Sequence, residues 1–360
     1  MLFISGFIIS WFINHKQYNK IGHYRSTFNI ANISLYFYMQ PDKPRFEDIQ
    51  QAAASISGRI HKTPVLHSRT FNNETNSRSF FKAENLQRIG AFKIRGALNK
   101  IRSLSDEEKS RGVITFSSGN HGQATALAAR LENIQCVVVM PEDARISKKN
   151  AAQGYGAEII TAGTTSEDRY QRAMELRKQY GYTVIPPYED PFIIAGQGTC
   201  GLEIVEQIPD VEYVLIPVGG GGLISGCALA IKSKLPSVKV IGVETAGADD
   251  ANQSFRQKKL VRYESTNTIA DGMRNLSLGT INFEMLLRFV DDMLTVSDDD
   301  VVAMMRFFFE RMKTVVEPTG AVASAAIRVH NERFKDKRVC AIISGGNIGI
   351  EDFCRLVINS

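Results

Sequence analysis

The 360-residue sequence predicts an α/β fold built on mostly parallel strands, and three observations point there. Short apolar runs alternate with helical patterns over most of the chain. The runs are continuous rather than alternating, as expected of strands covered on both faces. Several of them end in turns rich in glycine and serine, just where a helical pattern begins.

Strand-like runs fall at residues 113–116, 136–140, 158–161, 183–185, 214–218, 238–244 and 339–343, all rich in Val and Ile. Helical patterns lie between or beyond them at 122–131, 166–179, 198–207, 223–234, 298–313 and 320–331. Asp298, Asp299 and Asp300 place negative charge in the first turn of one of these, where the helix dipole favours it. Right-handed crossovers then bring the carboxyl ends of the strands, and the loops that follow, to one edge of a sheet.

Composition narrows the function. Apolar residues make up 44% and charged residues 22%, enough for a sizeable core and too ordered a mixture for bulk disorder. A net charge of +5, dispersed along the chain, gives no nucleic-acid footprint. Cys136, Cys200, Cys227, Cys340 and Cys354 are odd in number and widely spaced, which argues against a disulfide framework or zinc site and for the reducing cytoplasm. Residues 1–38 differ from the rest. Residues 1–13 are strongly apolar, yet too short a run to span a membrane, and no acidic residue precedes Asp42. This segment reads as a dispensable or targeting extension, with membrane contact expected only if it is native.

Four loops carry chemistry. Gly219, Gly220, Gly221 and Gly222 follow the 214–218 run and precede Leu223 and a helix. Consecutive glycines let backbone N–H groups converge at a helix N-terminus, an arrangement that binds a phosphate dianion. Neither a Walker lysine nor the G-x-G-x-x-G spacing is present. Ser117, Ser118, Gly119, Asn120 and His121 follow the 113–116 run, a set of hydroxyls, an amide and backbone N–H groups suited to a carboxylate or an anionic ring oxygen, or to ordinary N-capping. Phe92-Lys93-Ile94 is by itself compatible with an exposed helical lysine. Ser344 ends the 339–343 run beside Gly345, Gly346 and Asn347.

FKIRGA, SSGNHGQ, GGGGL and SGGN, in this order and with the run Ile194 to Thr199, resemble the fold-type II pyridoxal-phosphate enzymes of the serine racemase and threonine/serine dehydratase group. The resemblance spans residues 46–349. It implies a tryptophan synthase β-like fold with two open, twisted, mostly parallel sheets flanked by helices. A large cofactor-binding domain would comprise 39–111 and 190–360, and a small domain 112–189. It further implies that Lys93 holds pyridoxal 5'-phosphate as a Schiff base, that Phe92 packs on the ring and that Asn120 meets the ring hydroxyl. Gly219, Gly220, Gly221, Gly222 and Leu223 would cradle the phosphate, and Ser344 would meet the pyridine nitrogen.

The implied reaction is loss of water from L-serine or L-threonine to give a 2-oxo acid and ammonia, the substrate carboxylate resting on residues 117–121. Serine racemisation, with Ser118 as the second proton carrier, and 3-hydroxyaspartate ammonia-lyase activity are the alternatives. In metal-dependent members a Glu, a carbonyl and an Asp hold Mg²⁺ or Ca²⁺, which maps to Glu244, the Ala248 carbonyl and Asp250. Tyr188 resembles dehydratases more than animal racemases, and Ile348-Gly349-Ile350 departs from the acidic pattern usual there. No C-terminal regulatory domain is expected, and a homodimer is.

Overall fold

Ten strands organise residues 43–358, which the computed structural model describes. They are β1 (Val65–His67), β2 (Arg78–Ala83), β3 (Val113–Thr115), β4 (Cys136–Met140), β5 (Glu158–Thr161), β6 (Thr183–Val184), β7 (Tyr213–Pro217), β8 (Lys239–Thr245), β9 (Asp292–Val296) and β10 (Arg338–Ile343). The expectations for residues 1–38 lie outside the described residues. Among the described residues no helix is long and apolar enough to cross a membrane.

The strands form two sheets. The larger runs β1-β2-β10-β7-β8-β9, with β1 antiparallel to β2 and every other pair parallel. The smaller, β5-β4-β3-β6, is parallel throughout. Every residue of β4 is buried, as are five of six in β10 and four of five in β7, so the continuous apolar runs sit inside as parallel strands require. Helix Pro318–Val329 covers one face of the large sheet, and helices Pro191–Gln207 and Gly222–Lys234 cover the other.

Three strands, β1, β2 and β9, escape the pattern of apolar runs. β2 reads RSFFKA, and its Lys82 is fully buried. Its partners explain this: Lys82 Nζ donates to Glu203 Oε2 (2.5 Å), the Thr63 carbonyl (2.8 Å) and Gln207 Oε1 (2.9 Å). The same ion cluster contains Arg95, also fully buried, which bonds Glu84 through Nε (2.7 Å) and Nη2 (2.8 Å), and Glu203 through Nη1 (2.7 Å) and Nη2 (2.9 Å). Two cations and two carboxylates thus tie β2, the Ile94–Arg102 helix and the Pro191–Gln207 helix together.

Helix Pro191–Gln207 begins seven residues before the predicted 198. Asp190 accepts from the amides of Phe192 and Ile193, and Pro191 occupies the first turn, a strong start signal. Its small residues allow backbone contact: a Cβ on Gly196 would lie 2.6 Å from the Gly96 Cα. The helix that follows Lys93 is therefore seated directly on another helix's backbone, which fixes where Lys93 starts from.

Candidate active site

Lys93 stands at the N-cap of helix Ile94–Arg102. It is half-buried, not an exposed helical lysine. Its Nζ donates to the Pro187 carbonyl at 2.7 Å and lies 5.2 Å from the Phe92 ring centroid. Burial without a carboxylate partner lowers its pKa to about 8. The segment before it is stitched to the loop after β10: Phe92 N–H donates to the Ser344 carbonyl (3.1 Å) and Gly346 N–H to the Gly90 carbonyl (2.9 Å). Lys93 and Ser344 are thereby held in one place. Ser344 is 2% exposed, and its Oγ has no hydrogen-bond partner. An orphaned buried hydroxyl costs free energy unless a ligand atom meets it.

The glycine loop closes the next side. Gly221 has φ of +90° and caps helix Gly222–Lys234 with no side-chain acceptor, so the amides of the first turn stay open. A Cβ on Gly220 would fall 2.3 Å from the Tyr188 ring. Asn282 Nδ2 donates to the Gly220 carbonyl (2.7 Å) and pins the loop. Tyr188 belongs to the segment whose Pro187 carbonyl receives Lys93, so the lysine and the glycine cradle share one wall. Leu223 is buried in the core behind it.

The loop after β3 supplies the third side. Helix Asn120–Leu131 is capped by Gly119 without a side-chain bond, so neither Ser118 nor Asn120 serves as an ordinary N-cap. Ser117 Oγ accepts from Gly119 N–H at 3.3 Å, and Ser118 is half-buried. His121 is buried. Its Nε2 lies 2.9 Å from the Ile185 carbonyl, which can only accept, so Nε2 carries the proton. Burial, with Lys93 nearby, pushes its pKa down to about 3, so the ring stays neutral and committed to Ile185.

The Asn120 amide is engaged on two sides and keeps one N–H without a partner. Its Nδ2 donates to Glu317 Oε1 (2.7 Å), and its Oδ1 accepts from Asn347 Nδ2 (2.8 Å). Glu317 also accepts from Asn347 N–H at 3.1 Å, and burial together with Asp271 pushes its carboxyl up to about 8. Glu317 was missed in the sequence, where it shows only as a Glu before a Pro that opens a helix. Asn347 lay within a recognised motif without a role.

Glu244, next to last in β8, is fully buried, its oxygens accepting from the amides of Ala251 (3.2 Å) and Asn252 (2.7 Å). Asp250 is 1% exposed, and its Oδ2 has no partner. Desolvation and the neighbouring acidic groups lift both carboxyls, Asp250 to about 7. Asp249 is instead satisfied by the Tyr263 hydroxyl (2.6 Å). Among the described residues no three His, Cys, Asp or Glu side chains form a metal cage. Two buried carboxylates beside the buried Ala248 offer hard oxygen donors, a set that fits a divalent cation.

The sheets and this site define a pyridoxal-phosphate-dependent enzyme of fold type II, and the chain belongs to that family: its family model, described as pyridoxal-phosphate dependent enzyme, matches residues 56–345. Among relatives, it is 45% identical to the L-threo-3-hydroxyaspartate ammonia-lyase of Saccharomyces cerevisiae, over 87% of this chain and 96% of that one. It is 42% identical to the L-threonine ammonia-lyase of Thermotoga maritima, over 86% of this chain and 77% of that one. The structure of maize serine racemase superposes with a TM-score of 0.84 at 38% identity, covering 88% of this chain and 98% of that one. The activity class is thus a serine/threonine-type ammonia-lyase or racemase.

Proposed function

We propose that the protein is an ammonia-lyase that removes water from L-serine or L-threonine and releases a 2-oxo acid and ammonia. The observation that carries this reading is the setting of the Lys93 amine, on one side an uncapped glycine loop that shares the Pro187-Tyr188 segment with it, on the other the partnerless hydroxyl of Ser344, whose carbonyl accepts from Phe92 N–H. Lys93 would carry pyridoxal phosphate, with Phe92 against its ring. The glycines and Leu223 would hold the phosphate, Asn120 the ring hydroxyl and Ser344 the ring nitrogen. When bound, that group supplies an electron sink that acidifies the substrate α-proton.

The chain's own residues do the rest. Once the substrate's own amine has taken its place on the cofactor, Lys93 would be a free amine with a pKa near 8, partly unprotonated near neutrality, and could take that proton. Backbone amides at the start of helix Asn120–Leu131 orient the substrate carboxylate through the helix dipole. Ser344 offers a neutral hydroxyl rather than a carboxylate, which favours prompt loss of the β-hydroxyl. Glu244, the Ala248 carbonyl and Asp250 would bind Mg²⁺ or Ca²⁺, relieving two buried carboxylates. All five cysteines are free thiols, four of them buried, which supports a cytoplasmic setting.

Ser118 supports a second reading, serine racemisation, because a hydroxyl beside the substrate carboxylate can exchange a proton on the face opposite Lys93. Product analysis on L-serine, L-threonine and L-threo-3-hydroxyaspartate decides between them. Pyruvate or 2-oxobutyrate with ammonia is expected from the first two. D-serine forming faster than pyruvate makes the protein a racemase, and oxaloacetate as the dominant product moves the substrate to hydroxyaspartate.

A further inference from the structure

The orientation of the Asn120 amide is fixed by a chain of hydrogen bonds that starts at a carbonyl. Ile89 O can only accept, so the Asn347 atom 2.6 Å from it is Nδ2. That same Nδ2 lies 2.8 Å from Asn120, whose facing atom is therefore Oδ1. The other Asn120 atom is Nδ2, and it meets Glu317 Oε1 at 2.7 Å. Glu317 Oε2 is held in turn by Asn347 N–H at 3.1 Å. The carboxyl group lies so close to the main chain that a Cβ on Gly345 would fall within 2.2 Å of Oε1. Neither asparagine can flip without placing two donors or two acceptors face to face.

An amide nitrogen has two protons, and Glu317 takes one. We propose that Glu317 is a positioning residue: with Asn347 it locks Asn120 so that the remaining N–H is the donor presented to the bound cofactor's ring oxygen. This rests on the reading that Asn120 faces pyridoxal phosphate. Glu317 itself touches neither substrate nor cofactor in this role. Its function is to prevent the amide from offering its oxygen, which would repel an anionic ring oxygen.

The Glu317→Gln variant keeps shape but sets an NH₂ group against either Asn120 Nδ2 or Asn347 N–H. The readouts are the cofactor dissociation constant and the ratio of the visible to the near-ultraviolet cofactor absorption band, which reports the ionisation of the ring hydroxyl. Both are measured above pH 8, where the Glu317 carboxyl is ionised and accepts only, beside wild type, Asn120→Ala and the double variant. Glu317→Gln is expected to weaken cofactor binding about tenfold, the scale of one charge-assisted hydrogen bond, and to lower the band ratio as Asn120→Ala does. The double variant should be no worse than Asn120→Ala alone. A wild-type ratio and affinity in Glu317→Gln, alongside a changed Asn120→Ala, overturn the positioning role while leaving the cofactor reading intact. An unchanged Asn120→Ala overturns both. Should Glu317→Gln fail to fold, Asn347→Ala frees Asn120 from the other side, and an unaltered band ratio there overturns the proposal.

Discussion

Arg95→Met removes a guanidinium that is wholly out of water and donates five hydrogen bonds, two to Glu84, two to Glu203 and one to Thr199. Methionine fills most of the side-chain volume, so the loss is chiefly electrostatic. Glu203 keeps Lys82 at 2.5 Å, but Glu84 is left with only the Thr63 hydroxyl in direct contact. Breaking a buried pair in this way costs about 3–5 kcal/mol. The roughly 320 described residues give an unfolding entropy near 0.7 kcal/mol/K, so Tm should fall by about 4–7 °C. Circular dichroism melts of the two proteins at pH 7 measure it.

The pH dependence carries a definite sign. In the wild type Arg95 holds the Glu84 pKa below its ordinary value despite burial, so this carboxylate adds stability above the unfolded pKa that is lost as pH falls through the folded one. In the variant the buried, unpaired carboxyl has a raised pKa, and its penalty is relieved as pH falls through that value. The Tm gap should therefore narrow between pH 7 and pH 5. A Tm drop below about 1 °C at pH 7, or a gap that widens on acidification, refutes the reasoning.

Three further outcomes are expected. Gly220→Ala drives a methyl group into the Tyr188 ring, a strain of about 1–3 kcal/mol that should weaken cofactor retention about tenfold or more in dialysis against pyridoxal phosphate. Mg²⁺ at a hundredfold excess over Kd should stabilise the wild type by about 2.7 kcal/mol, a Tm rise of about 4 °C that Asp250→Ala abolishes and chelator reverses. Ser118→Ala should cut D-serine formation from L-serine at least about a hundredfold while pyruvate release persists, read by chiral chromatography.

Much of the frame was legible because parallel strands buried on both faces leave continuous Val/Ile runs, as in β4 and β7. β2 was not, since Arg78 and Lys82 break its apolar pattern, and the partner that makes a buried Lys82 tolerable, Glu203, is 121 residues away. β1 reads VLH with no residue fully buried and an exposed His67 at its end, so no Val/Ile run marks it. In the site, the glycine and serine loops announced themselves by composition. The polar hub beneath them did not, because Glu317 and Asn120 meet across 197 positions and only the fold brings them together. His121 looked like a capping or packed histidine, and its Ile185 contact makes it a packed one.

Sodium borohydride reduction of the cofactor-loaded protein, followed by peptide mass mapping, tests the whole account most directly. A pyridoxyl adduct on Nζ of Lys93, absent from Lys93→Ala, is the predicted result. An adduct on a different lysine, or none after saturation with pyridoxal phosphate, contradicts it.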